Sequence, residues 1–353
     1  MRSPALPRRL LLAALASVPL AAQTTVAIPC GADNTLYQSA AGDLSNGAGT
    51  GIFVGVNATG LVRRGLVRFD VAASLPSGAR ILAARLELNV ASASSATAEP
   101  MTGHRLLQPW GEGTSVATGS GGSGAPATPG DATWLHRYWN TTTWNSAGGD
   151  FATVPSFVAA MPQAGAFSSL LSRQAAADVQ SWLDAPGSNF GWLLRSSEIG
   201  LQSARRLDSR ESTGLRPSLV VAYLLPGQNG TWGLGCPTQV GNPTVGFLGT
   251  PVGGSSIQLA KSNFPWCVAI EFFALAIDPL GVPVLPPGWV GCSAHLPEAE
   301  WIIGNSSVIN GSATSAFAVP LGFPGYLVAC QVVLMPQGPI GYLASNVALT
   351  VLQ

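Results

Sequence analysis

The chain is short of charge, and above all of lysine. Of 353 residues only 10% are charged, 17 basic against 17 acidic, and Lys261 is the one lysine. A formal charge of zero offers no field to attract nucleic acid or anionic lipid, which argues against a dedicated DNA or RNA binder. Histidine is equally scarce, with His104, His136 and His295 alone, and there is no HExxH helix and no GxSxG elbow. The five cysteines show no CxxC or CxxH spacing that would support zinc. Past the first 22 residues no apolar run approaches the roughly 20 residues a spanning helix needs. Disorder is excluded from the other side, because 47% of the residues are hydrophobic. What the chain has in quantity is turn chemistry, Gly 42 and Pro 27, which suits many short strands.

Residues 1–22 read as a signal peptide. Arg2, Arg8 and Arg9 form a cationic start, Leu10 to Leu20 an apolar core, and Ala21-Ala22 a small-residue exit. The expected product is secreted, extracellular or held at the cell surface, and does not span the membrane. Ala27-Ile28-Pro29 before Cys30 is no lipobox, which disfavours a lipid anchor. Exported cysteines suggest disulfides; four of the five, Cys236, Cys267, Cys292 and Cys330, lie in the last third, and Cys30 is the spare, a buried thiol or an intermolecular link.

From Asp33 to Leu225 runs of period two alternate with turn clusters. "RRGLVRFDV" sets Val67, Phe69 and Val71 on one face and Arg64, Leu66, Arg68 and Asp70 on the other; "ARLELNV" repeats this with Leu86, Leu88 and Val90 inward and Arg85, Glu87 and Asn89 outward. Such half-buried strands predict an antiparallel sandwich. One short helix is expected near 169–184, where Leu171, Ala175, Val179, Trp182 and Leu183 recur at helical spacing behind a Ser cap and before Pro186-Gly187. It would cover one end of the sandwich. Gly111 to Gly130 reads as a long surface loop, and its "GSGGSG" lacks the flanking strand and helix of a dinucleotide site.

Residues 226–235 look like a linker. Beyond them no arginine occurs, and short apolar runs at turn-bounded intervals predict a second all-β domain, residues 236–353, with edges poorly protected against association. The fold expectation is therefore all-β: a leader, a sandwich over 23–225, a linker, and a second sandwich. The low-charge second domain could dock on the first, on a protein partner, or on another copy.

A family resemblance enters at residues 33–225. In order stand "ADNTLY", "RRGLVRFDV", "SLPSGARILAARLELNV", "QPWGEGT", "GDATW", Trp144 with "GGDF", "DVQSWLDAPGSNFGWLL" and "RRLDSRESTGLRPSLVVAY". This stretch resembles the DNRLRE domain, also classed as carbohydrate-binding module family 96. The resemblance implies a secreted jelly-roll-like sandwich that recognises polysaccharide, in some relatives an acidic glycan such as alginate. The last third resembles a Cys-containing β module at the C-terminus of secreted bacterial proteins, with "GLGCP", "PGWVGC" and "SNVALTV" as landmarks. On that likeness Cys236 pairs with Cys292, which leaves Cys267 with Cys330.

Sugar recognition needs flat aromatic faces and, for a carboxylated sugar, arginine. "TWLHRYWNTTTW" holds Trp134, His136, Arg137, Tyr138, Trp139 and Trp144. Tyr138, Trp139 and Arg137 are the loop candidates for ligand contact. Trp134 stands on a family-like element, where core packing competes with binding. Arg64 and Arg68 share one outward face and Arg85 occupies another; neighbouring strands would make a cationic surface for a polyuronate, and cross-strand pairs with Asp70 and Glu87 are the alternative. "RRLDSRE" reads as an ion-pair network. Asp131 and Asp150 sit in Gly-rich turns, either as caps or as ligands of a structural Ca2+, the one cofactor considered. Glu298 and Glu300 in "PEAEW" would point the same way on a strand.

The expected function is thus non-catalytic polysaccharide binding. A structural or adhesive surface protein is the alternative, and a polysaccharide lyase or hydrolase comes third.

Overall fold

The computed structural model describes residues 23–283, 293–297, 300–336 and 342–353. Residues 1–22, read above as a signal peptide, and Cys292 lie outside them. The chain is all-β, and its described helices are Val71–Ser74, Arg173–Asp184 and the 3-10 turn Pro186–Ser188.

The N-terminal body has two antiparallel layers. In one, Val62–Phe69 pairs with Trp192–Ser196, which continues through Glu99–Arg105 to Phe157–Met161. In the other, Arg80–Ala93 is flanked by Ser218–Leu224 and by Arg205–Asp208, and Gly165–Ser168 adds to it. Two strands belong to both layers. Thr24–Tyr37 pairs with Ser218–Leu224 through Pro29, shifts register between Cys30 and Ala32, and pairs with Val62–Phe69 from there on. Gly51–Val56 pairs with Arg205–Asp208 as far as Val54, then with Val62–Phe69 through Gly55 and Val56. Gly55 makes this second corner at φ 128, where a Cβ would lie 2.6 Å from the Ala204 backbone.

The alternation read from sequence is the core pattern. Val67, Phe69, Leu86, Leu88 and Val90 all join one buried cluster between the layers, with Phe157, Trp182 and Trp192. Val71 is buried there too, yet it opens a helical turn instead of extending the strand. Asp70 stops the strand by accepting the Ala73 N–H as an N-cap. Helix Arg173–Asp184 starts behind Ser172, whose hydroxyl accepts the Ala175 N–H at 3.0 Å. It lays Ala175, Val179 and Trp182 into the same core, the Trp182 and Trp192 rings 4.6 Å apart. On its buried face Asp178 accepts from Trp192 Nε1 at 2.8 Å and Ser156 Oγ at 2.5 Å.

The C-terminal body is built on one long antiparallel strand pair. Ser256–Ala274 pairs along its length with Ile302–Ala318 and is flanked on its other side first by Thr244–Leu248, then by Leu327–Pro336. Leu343–Val351 and Asn229–Trp232 complete the sheet. Asn229–Trp232 falls inside the span read as linker; it is a short edge strand, whose pairing a Gly-rich polar composition does not reveal. The two bodies share an apolar cluster in which Leu82, Ala83, Ala222 and Leu224 meet Leu327, Ala329, Val347 and Leu349. Arg80 donates to the Gly325 carbonyl across the same seam, and Arg173 pairs with Glu300.

The disulfide expectation requires a correction. Cys267 and Cys330 are free, buried thiols. The ladder sets Cys267 opposite Pro336 and Cys330 opposite Phe273. That is six residues along the strands, roughly 20 Å at about 3.3 Å per residue, against the 4.4–6.8 Å between Cα atoms that a disulfide typically spans. Cys236 is disulfide-bonded, and Cys292, its expected partner, lies outside the described residues. Cys30 is a buried thiol, donating to the Ala32 carbonyl at 3.2 Å. Burial pushes the thiols of Cys30 and Cys330 well up. Alkylation without reductant should therefore modify Cys30, Cys267 and Cys330 only after denaturation. A Cys267–Cys330 cross-linked peptide in a non-reducing digest would contradict this register.

Candidate functional site

The outer face of the layer holding Val62–Phe69 is covered around that strand and Trp192–Ser196, whereas Val158 at the far edge of the layer is exposed. Residues 106–151 leave the sheet and return across it, and Trp110, Trp134 and Trp144 pack there on Leu36, Leu66 and Leu193. Indole N–H groups anchor the cover: Trp110 donates to the Phe190 carbonyl at 2.8 Å and Trp144 to the Thr133 carbonyl at 2.9 Å. The stretch read as a surface loop, 111–130, is thus part of a roof, with Ser115 and Asp131 buried at its ends.

This roof separates the two arginines of one strand face. Arg64 lies over the Trp134 ring at 4.9 Å, donates to the Gly148 carbonyl at 2.7 Å, and makes a bidentate pair with Glu198 at 2.7 and 2.9 Å. Gly148 is glycine for steric reasons: φ is 86, and a Cβ would sit 2.5 Å from Arg64 Nη1. Arg195 shares Glu198. Arg64 and Trp134 are thereby engaged in the roof. Arg68, four residues on, stands 5.6 Å from the Trp110 ring, half-buried, and among the described residues no ion pair joins it. Arg85 lies in the other layer, exposed and paired with Glu87 at 2.8 Å. The cationic face that Arg64, Arg68 and Arg85 would make on neighbouring strands does not form, because the strands that carry them belong to opposite sheets, and Arg85 pairs with Glu87 as the alternative reading had it, although along its own strand.

The loop aromatics sit on a small hairpin, His136–Tyr138 paired with Thr142–Thr143. Backbone bonds tie it to the roof: Gly111 N–H to the Arg137 carbonyl at 3.0 Å and Trp139 N–H to the Asp131 carbonyl at 2.7 Å. Arg137, Tyr138 and Trp139 are each half-exposed. The Arg137 guanidinium lies 5.6 Å from the Tyr138 ring and donates to the Pro109 carbonyl; His136 meets Trp139 edge-on at 4.9 Å. Trp110-Gly111 links the two halves of this surface, since Trp110 lies under Arg68 and Gly111 bonds to Arg137. A Cβ on Gly111 would lie 2.9 Å from Tyr138 Cδ1.

Asp131 and Asp150 have their carboxylates turned to backbone. Asp131 accepts from Thr128 N–H at 2.6 Å, and Asp150 from the N–H groups of Asn145 and Ser146, both at 2.9 Å. These are turn caps. Glu298 lies outside the described residues, and Glu300 is taken up by Arg173.

A polar cluster that the residue-by-residue reading did not single out joins "ADNTLY", "QPWGEGT" and "RRLDSRE". Arg210 makes a bidentate pair with Glu112 at 2.6 and 2.8 Å and contacts Glu211 at 2.9 Å; its N–H donates to Asp33 at 2.7 Å, and Asp33 N–H to Glu112 at 2.8 Å. Carboxylate oxygens of Asp33, Glu112 and Glu211 lie within 4.8 Å of one another, the hard donor type a divalent cation takes, and the Arg210 side chain fills part of that role. Burial, and the neighbouring charges of Glu211 and Glu112, push the Asp33 carboxyl up to about 8. Glu211 is also raised, first by burial. The one signal that could have found this cluster was that all three sequence elements belong to the family-like set.

No protein-family profile matches the chain, and no curated protein does. Among solved structures it is similar to Parabacteroides merdae β-glucuronidase with glycerol in its active site, at 9% identity and a TM-score of 0.14. That similarity covers 80% of this chain and 27% of that chain, and at this TM-score it carries no weight for fold or function. No described helix is long and apolar enough to cross a membrane.

Asp33 sets a pH dependence. Its carboxyl titrates near 3.8 when unfolded and near 8 when folded, so between these values the folded state holds the extra proton. Stability should fall as pH rises from about 4 to 8, and Asp33→Asn should flatten that slope in urea melts taken across the range. An unchanged slope would mean that Asp33 is ionised in the folded protein.

Proposed function

We propose that this chain is a secreted, non-catalytic polysaccharide-binding protein whose contact surface is the strip formed by Arg68, Arg137, Tyr138 and Trp139. The observation that carries the reading is the His136–Thr143 hairpin. It holds aromatic rings half-exposed beside a guanidinium, on a hairpin whose backbone is bonded to the roof, so no loop needs ordering on binding. Tyr138 and Trp139 offer flat faces to sugar C–H surfaces. Arg137 and Arg68 offer donors to a carboxylate, which favours an acidic glycan. Arg64 and Trp134, although on the same side, serve the roof. The ordered likeness to a carbohydrate-binding module and the signal-like leader support the same assignment. No catalytic constellation is needed for it.

A second reading, a structural or adhesive protein that associates with itself, is favoured by the strand Ile302–Ala318. Its 17 residues carry no charge and no proline, and among the described residues only Ser256–Ala274 pairs with it. Ile302, Ile303 and Val308 are exposed along it. Native sheets usually guard such an edge with charge or proline, and here only the register irregularities of its ladder interrupt it.

Affinity electrophoresis through gels cast with alginate, pectin or neutral polysaccharides tests the first reading. Retardation is expected in an acidic glycan, and Tyr138→Ala or Arg137→Ala should each weaken binding about tenfold, about 1.4 kcal/mol. Mobility unchanged in every polysaccharide would remove the assignment. For the second reading, light scattering should show a mass that grows with concentration and returns to one chain in Ile303→Glu/Val308→Glu; a constant monomer mass in the unaltered protein would dismiss it.

A further inference from the structure

The single lysine of the chain is buried. Lys261 and Glu271 are each only 3% exposed, ten positions apart on the strand Ser256–Ala274. A straight strand would hold them roughly 33 Å apart. This one is broken by register shifts between Lys261 and Cys267 and by Asn263 at φ 60, so its halves turn back toward each other. Lys261 Nζ reaches Glu271 Oε1 at 2.6 Å. Ser315, on the partner strand, closes a triangle: its hydroxyl donates to the same Oε1 at 2.6 Å and accepts from Nζ at 2.9 Å.

Residue choice is informative here. Every other basic side chain is arginine, and arginine is the better partner for a lasting carboxylate pair because its fork binds two oxygens and never loses its proton. Lysine differs in one respect that matters inside a protein. Its ammonium can give up a proton, and the amine that remains is a nucleophile. In a site shielded from water, transfer of one proton from Nζ to the carboxylate would cancel both charges and leave an amine against a carboxylic acid, with the Ser315 hydroxyl bonded to both.

We propose that Lys261 and Glu271 condense in the folded protein to an intramolecular isopeptide bond. The Nζ lone pair attacks Glu271 Cδ and the N–C bond forms. Ser315 relays a proton from nitrogen to the departing oxygen, the Cδ–O bond breaks, and one water leaves carrying the two hydrogens that the ammonium loses. Nothing is oxidised or reduced and no co-reactant is consumed. The fold supplies the proximity that makes such a step effectively unimolecular. The product ties the two halves of the turned strand together and removes a buried ion pair from the core of the C-terminal body.

Intact mass spectrometry of the purified chain, denatured and fully reduced so that its disulfide does not enter the mass, tests the proposal. The mass should be lower than that of the sequence by one water, digestion should yield a branched peptide joining Lys261 to Glu271, and an amine reagent should label the denatured chain at its α-amino group alone. Lys261→Arg should restore the sequence mass. Should that variant fail to fold, Glu271→Gln keeps the shape and should lose ammonia in place of water. Ser315→Ala should leave a mixture of linked and unlinked chains. A full sequence mass in the unaltered protein, together with complete labelling of Lys261 after denaturation, would show a plain ion pair and overturn the inference.

Discussion

The N-terminal body depends on two strands that are bonded to both of its layers, and above all on the longer of the two. Thr24–Tyr37 leaves Ser218–Leu224 and takes up Val62–Phe69 at the shift between Cys30 and Ala32. A strand that changes sheets must turn a corner, and a corner brings the next few residues to the rim. Asp33 and Asn34 come directly after the turn. Asn34 donates to Ser45 Oγ at 2.9 Å and to the Glu112 carbonyl at 2.8 Å, while Asp33 receives Arg210 N–H from the far end of the body. The placement of the roof over the sheet depends on these bonds, since Glu112 lies at its entrance.

The low charge of the protein concentrates its electrostatics in few places. Among the buried ionisable groups, Asp178 sits beneath the helix, Asp33 at the rim, Arg205 and Asp208 on one strand, and Lys261 with Glu271 between the halves of a turned strand. Each lies where separate parts of the backbone must meet, and each is hydrogen-bonded there. A buried charge without a partner costs far more than an apolar residue at the same point, so each group accepts only one arrangement of its neighbours. Whether these groups add net stability is secondary to that selectivity.

Arg64 and Arg68 show how position within a roofed surface divides equivalent residues. They share a strand, a face and a side-chain type. One is closed in by Trp134, Phe151, Gly148 and Glu198 and belongs to the packing. The other lies where the roof ends at Trp110 and stays available. The aromatic residues divide in the same manner. Trp110, Trp134 and Trp144 fill the roof, and Tyr138 and Trp139 ride on its outer hairpin.

Much of the fold was legible in sequence because strand alternation and helix capping are local. Val67, Phe69, Leu86, Leu88 and Val90 face the core as the period of two requires, and Ser172 caps the helix as its chemistry predicts. The site was legible only as a set of residue types. Two facts escaped for the same reason: Arg85 lies in the layer opposite Arg64 and Arg68, and Cys267 lies six residues out of register with Cys330. Which strands pair, and at what offset, depends on partners as remote as Asp33 and Arg210, 177 positions apart. The sequence by itself determined an all-β chain, its inward faces and its turns, since these depend on each residue and its near neighbours. Which outward faces meet water, which charges meet each other and which thiols stay apart were decided by tertiary structure, because only the closed sheets bring distant segments within reach.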